Sequence, residues 1–396
     1  MRMKVAGGRH GIPTLLTLLT TLLRAAVVRL NAIVGCGVIG LVPIAQAGPA
    51  TGYIERYVFV PSAVSPIVTL IDTDTDQISG TLQLEYVPGQ VEVSRELTKL
   101  IATEGRSAMT VLGVFGGPPN QIALPNAAQR LVLGARGRVV AAIDPTAGAI
   151  ALVDLVSERV TASITGLPPL RDVIFGNDDS TIYVVAKGGG GIGVIDAVTG
   201  RQLRQIVAGA PPGTDIGTLT RLPGDRRLLL QPQGGGSIDV LDLGLERTID
   251  RIDVTVGAGP AVPSGTGTVL MIPDGLRQTL VVRSEHFPAP VTLRGAAGVT
   301  GTYSAWLDSV GFVASAARRQ LLVYDLDRPA LAKEITLPGV PVRGAVTVDS
   351  RKLYLPLSDP PKLLVVDGKT QQVVATIDLP SQPLVAIVAG GWGVCH

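Results

Sequence analysis

The sequence predicts an all-β protein, a β-propeller of four-stranded blades. Three observations carry that expectation. A short apolar phrase closing in Asp recurs at spacings of 82, 42, 46, 83 and 42 residues. The turn formers Gly (48) and Pro (29) are scattered along the chain rather than pooled, which suits many short strands. The last apolar strand has no blade of its own and can close a ring.

The leader comes first. Residues 1–47 carry five basic residues (Arg2, Lys4, Arg9, Arg24, Arg29) and no acid, with apolar runs at 15–23, 25–28 and 32–44. They end in Ala45-Gln46-Ala47, whose small residues suit signal peptidase, so cleavage is expected before Gly48. Two alternatives stand beside this. Ile33-Val34-Gly35-Cys36 resembles a lipobox that would place lipid on Cys36, and the leader could also remain as an uncleaved anchor. The run after Arg29 is short for a membrane span. Gly35-Cys36-Gly37-Val38-Ile39-Gly40 matches GxGxxG, but Pro43 cuts the helix that a dinucleotide site needs.

The body, 48–396, is expected to be one domain. It has 29 basic against 32 acidic residues, a net charge of −3, without a basic stripe. That argues against nucleic acid as partner. Hydrophobic residues make up 46% of the chain but aromatics only 4%, so the core must be mostly Val, Ile, Leu and Ala. Cleavage after Ala47 would leave Cys395 as the last cysteine, so packing and ring closure rather than a disulfide must hold the fold.

The repeat reads VTLIDTDT (68–75), ALVDLVS (151–157), GVIDAVT (193–199), DVLDLGL (239–245), LVYDLDR (322–328) and LVVDGKT (364–370). Its closing residues are Asp72, Asp154, Asp196, Asp242, Asp325 and Asp367. Each wide gap is about twice the narrow one, so a degenerate copy is expected in each. Residues 108–113 place Gly113 where the Asp would be, and 290–294 (PVTLR) form a distorted copy. Eight units result, with seven as the alternative count. A period of 40 to 50 residues with several strands per unit is the signature of propeller blades. The Asp residues read as turn formers, because an Asp carboxylate accepts backbone N–H groups two or three residues on.

Within a unit, RDVIFG (171–176), TIYVVA (181–186), GVID (193–196) and RQLRQIV (201–207) form a four-stranded meander, and 342–379 repeats the order. Tyr57-Val58-Phe59-Val60 reads as a second strand without a first. Residues 383–389 read as a first strand without a blade, so this C-terminal strand is expected to complete the first blade.

The units at 164–209 and 335–380 resemble the YVTN family of β-propeller repeats. The likeness lies in the Pro-x-Arg approach, the Asp turn, the Ile/Leu-Tyr-Val/Leu strand, V-x-V-I/V-D and the closing V-x-x-I. It spans most of 51–390 and departs from the pattern at 85–125 and 255–320. The resemblance implies the fold first. Similar propellers serve as periplasmic or surface binding proteins, as lactonase-like enzymes, and as quinoprotein amine dehydrogenase subunits, and fold alone does not choose.

Chemistry is sparse. The body has two histidines, His286 and His396, too few for a zinc site of His and Cys type. The chain ends in Cys395-His396, but Trp392 stands where covalent haem attachment needs a first cysteine. Asp72-Thr73-Asp74-Thr75-Asp76 opens like a calcium loop, yet Gln77 and Gln83 occupy the Gly and Glu positions. Gly188–Gly191 and Gly234–Gly236 lie between strands, as hairpin turns do. No catalytic set is expected, and no metal or other cofactor.

The remaining candidates are loop residues. Arg171 and Arg343 sit in segments leading into innermost strands and are expected at the channel mouth, where they could hold a small anion. Glu285 and His286 are expected in a loop between second and third strands on that face, so specificity is expected around 285–294. The leading expectation is an exported, non-catalytic propeller, periplasmic or extracellular, binding a protein or small anionic ligand at the channel face. The alternatives are a lactonase-like hydrolase or quinoprotein-dehydrogenase-like subunit, and a lipid-anchored structural protein.

Overall fold

The computed structural model describes residues 53–207, 215–223 and 226–390. The leader with Cys36, and Cys395 and His396, lie outside the described residues. Among those residues no helix is long and apolar enough to cross a membrane.

Eight four-stranded antiparallel sheets form the blades of a propeller. Blade 1 joins the first and last strands of the described residues. Its innermost strand, Ile387–Val388, pairs with Tyr57–Pro61 through Val58↔Val388 and Phe59↔Ile387, and Ile67–Asp72 and Gln77–Gln83 follow outward. Closure by the C-terminal strand therefore occurs as expected. Blades 2 to 8 each use four consecutive strands, and the blade count is eight rather than seven.

The middle strands read as nearly continuous apolar runs because both of their faces are covered. Tyr57 and Phe59 pack toward blade 2 with Val91, Val93 and Leu100. Val58 and Val60, one residue out of phase, pack toward blade 8 with Tyr354, Leu363 and Val365. This is the period-two alternation of a strand, with both faces buried. The other seams repeat it, so each cluster of buried side chains lies between two neighbouring blades. Outermost strands have only one covered face. In Gln77–Gln83 only Leu82 is buried.

The repeated Asp residues all end third strands. The Asp196 carboxylate accepts from the backbone N–H groups of Val198 (3.0 Å) and Thr199 (2.7 Å) and from the Thr199 hydroxyl (2.9 Å). Asp367 accepts from Thr370 N–H (2.7 Å) and hydroxyl (2.9 Å), and Asp154 from Ser157 N–H and hydroxyl (both 2.6 Å). Asp72, Asp242 and Asp325 accept from Asp74, Gly244 and Arg328 N–H groups at 2.8–2.9 Å. Four residues after the Asp, the backbone often turns left-handed, as at Asp76 (φ 54°) and Glu158 (φ 54°).

Blade 6 departs from the expected register. Its third strand is Thr279–Ser284, and Val291–Arg294 is the outermost strand. The PVTLR segment was expected in the third position because of its spacing. Thr279–Ser284 ends in Ser, without the Asp mark. The Asp turn of this blade sits one hairpin earlier, where Asp274 accepts from Leu276 (3.0 Å) and Arg277 (2.9 Å) N–H groups.

Candidate functional site: a cavity along the innermost strands

The innermost strands differ around the ring. In blades 2 to 5 they run four to six residues: Gln90–Ser94, Arg130–Leu133, Leu170–Phe175 and Ile216–Arg221. Polar side chains stitch these strands together. The Gln90 amide donates to Leu131 C=O and accepts from Leu131 N–H, both at 2.8 Å. Arg130 donates to the Asp172 carboxylate at 2.5 Å, and the other oxygen of Asp172 accepts from Leu219 N–H at 2.7 Å. One buried carboxylate thus ties blades 3, 4 and 5.

In blades 6, 8 and 1 the innermost strands shrink to two residues: Val262–Pro263, Ala345–Val346 and Ile387–Val388. Here a cavity of about 320 Å³ runs along Val299–Ala305, the innermost strand of blade 7. Its walls are Val262, Pro263, Val346, Ala386, Ile387 and Val388, with the hydroxyl-bearing Thr300, Thr302, Tyr303 and Ser304 along one side. Proline explains part of the shortening. Pro260, Pro263 and Pro273 all line the cavity, and proline offers no N–H to a sheet ladder.

Arg343 and Tyr303 are the two ionisable groups of this lining. Arg343 keeps an exposed surface, and its partial burial inside the ring pulls the guanidinium down to about 10, against the attraction of Tyr303 and of Glu92 in blade 2. Burial also pushes the Tyr303 phenol up to about 12. The Tyr303 hydroxyl accepts from Gly344 N–H at 2.7 Å, which ties blade 7 to blade 8 beside Arg343. Gly301 makes room for this ring, since a Cβ there would lie 1.8 Å from the Tyr303 hydroxyl. Thr300 Oγ1 is buried without a hydrogen-bond partner. The site therefore offers one cation, Arg343, which keeps an exposed surface, beside apolar walls. It can hold an anionic group beside an apolar surface.

The expected site residues separate. Arg343 lines the cavity. Arg171 begins the corresponding strand in blade 4, but its guanidinium pairs with Asp215 at 3.1 Å. Asp215 also accepts from Gly188 N–H at 2.9 Å, so that corner is structural. Glu285 and His286 are exposed and lie between the third and outermost strands of blade 6, not between the second and third as expected. Glu285 N–H donates to the carbonyl of Thr268, in the turn between the first and second strands. They line neither Arg343's cavity nor Arg171's corner. The shifted register of blade 6 is the cause.

Tyr303, Thr300 and Glu92 were not picked out from the sequence. The available signals were a tyrosine in an aromatic-poor chain, inside the irregular stretch 255–320, and a lone acid in the alternating QVEVS of blade 2. Glu92 is only 2% exposed and accepts from the Gln90 amide at 2.9 Å.

No protein-family model matches the chain, and no curated protein sequence does. Solved structures do match in fold. A dihydro-heme d1 dehydrogenase, NirN, in complex with DHE superposes with a TM-score of 0.73 at 14% identity, over 88% of this chain and 78% of that one. Apo AztD from Citrobacter koseri gives 0.62 at 12% identity over 85% and 98%, and BamB from Moraxella catarrhalis gives 0.59 at 13% over 80% and 97%. At such identities the likeness shows the propeller fold alone.

Proposed function

We propose that this chain is an exported, non-catalytic propeller that binds a ligand in the cavity along the innermost strands of blades 6, 7, 8 and 1. One observation carries the reading. Arg343 lies in a wall of Val, Ile, Pro and Ala, and the only other ionisable group of the lining is a phenol that stays neutral at pH 7. Such a site binds well and offers little acid–base or nucleophilic chemistry. The YVTN-like repeats support a binding role, and the Ala45-Gln46-Ala47 leader supports export.

The haem named with one structural neighbour does not fit this cavity. Haem iron takes His, Cys, Met or Tyr as axial ligand. The lining holds no His, Cys or Met, and the Tyr303 hydroxyl is engaged by Gly344. A hydrolase or quinoprotein-like subunit has less support, because Glu285 and His286 are exposed and lie outside the cavity that Arg343 lines.

The test is recovery of bound small molecules. Protein purified from its native host is denatured and the released compounds are identified by mass spectrometry, beside a Val346→Trp variant that fills the cavity. The reading expects a stoichiometric compound in the wild type and none in the variant. A stoichiometric metal or quinone would overturn it. The same spectra read the mature N-terminus, expected at Gly48, and a lipid on Cys36 would replace free export by anchoring.

A further inference from the structure

We propose that the ligand is a small monoanion with an apolar body, its carboxylate held by Arg343 and its body lying against Val262, Val346 and Ile387. This rests on the binding role given above and adds the chemical class.

The charge follows from the lining. Arg343 is its only ionised side chain at pH 7. A guanidinium presents its N–H donors in a planar fork that matches the two oxygens of a carboxylate. A dianion such as phosphate is disfavoured, because the second charge would be buried against hydrocarbon without a second cation. A cation would meet Arg343 directly.

The size follows from the volume. About 320 Å³ is room for roughly ten waters at about 30 Å³ each, or a ligand of on the order of ten heavy atoms. The walls beyond Arg343 are aliphatic, so most of those atoms must be carbon to gain from burial. Glu92 then sets the affinity: its charge competes with the ligand for Arg343, and neutralising it should strengthen anion binding.

The experiment is calorimetric titration of the full chain at pH 7 with octanoate, octanol and octylamine, on wild type and on Arg343→Met, Arg343→Lys, Glu92→Gln and Val346→Trp. Octanoate is expected to bind on the order of tenfold or more tighter than the alcohol or amine. Arg343→Met should erase that preference, Arg343→Lys should keep part of it, and Glu92→Gln should tighten octanoate severalfold. If Arg343→Met does not fold by circular dichroism, the lysine and glutamine variants still decide. Equal binding of octanol or octylamine overturns the proposal, as does octanoate binding that survives Val346→Trp or weakens in Glu92→Gln. A neutral or cationic compound recovered from the native protein overturns the anion class and leaves the binding role standing. If none of the three probes binds and no compound is recovered, both fall.

Discussion

Lys352 Nζ, at the start of the second strand of blade 8, lies 2.8 Å from Asp76 Oδ2 in the turn between the third and outermost strands of blade 1. The ammonium also donates to Thr73 C=O at 2.8 Å, and the Tyr354 hydroxyl donates to Asp76. The same joint recurs between blades 2 and 3. Lys99 Nζ lies 2.7 Å from the Glu158 carboxylate and 2.5 Å from Leu155 C=O. In both, the acid occupies the left-handed position four residues after the turn Asp. One device thus serves an internal seam and the seam where the ends of the chain meet.

Breaking this joint should cost stability. Lys352 and Asp76 side chains are 24% and 17% exposed, so solvent screens them only in part. Lys352→Met is expected to lower unfolding free energy by about 1.5–3 kcal/mol, the worth of hydrogen bonds to charged groups. Asp76→Asn should cost less than Asp76→Ala, since Asn keeps an acceptor and tolerates a left-handed backbone. Urea midpoints decide, and a Lys352→Met midpoint equal to wild type would show that pairing across the strands suffices.

Asp172 should be the costliest single carboxylate among the innermost strands. It is 5% exposed and serves Arg130, Leu219 N–H and its neighbour Val173 N–H (2.8 Å) at once. Asp172→Ala leaves a guanidinium and a buried N–H without their acceptor, a loss of about 3–5 kcal/mol. Asp172→Asn keeps one acceptor and should fall well short of that. Thermal unfolding of the two variants checks the order.

Acid should destabilise the turns before it reaches the apolar seams. Backbone donation from Thr370 holds the Asp367 carboxyl below its usual range, and backbone donation from Thr199 does the same for Asp196. Burial alone would raise Asp308, but donors from Thr266, Ser264 and Gly265 hold it low as well. A depressed folded pKa means stability that is fully present above the unfolded value, near 3.9, and lost as pH falls through the folded one. Stability is therefore expected to be flat from neutral pH to about 5 and to drop below about 4. Asp367→Asn keeps the acceptor without titrating and should make the drop shallower in urea titrations across that window.

The scaffold was legible because its information is local and repeated. Asp196 and Asp367 mark turns by chemistry that two or three residues suffice to encode, and Tyr57-Val58-Phe59-Val60 shows by its two apolar faces that it is covered on both sides. The cavity was not legible, because it arises from what several blades omit. Val262–Pro263, Ala345–Val346 and Ile387–Val388 are short strands far apart in sequence, and only the closed ring sets them around Arg343. Blade 6 misled for a related reason. Its Asp turn at Asp274 sits one hairpin earlier than in the other blades that carry the mark, so counting residues to Pro290 put Glu285 and His286 on the wrong connection.

Gly301 gives the last test, of the cavity wall itself. A Cβ at that position would lie 1.8 Å from the Tyr303 hydroxyl and 2.3 Å from the ring carbon that bears it. Gly301→Ala must therefore move the ring and withdraw the acceptor from Gly344 N–H, whose partner is that hydroxyl. The loss is expected at about 1–3 kcal/mol for the orphaned N–H, with weaker ligand binding because Tyr303 and Gly344 both line the cavity. Tyr303→Leu removes the ring, so Gly301→Ala should cost little in that background. A double-mutant cycle in urea should then give a coupling of about 1 kcal/mol or more. Additive costs would show that Gly301 is required for its backbone and not for the space it leaves to Tyr303.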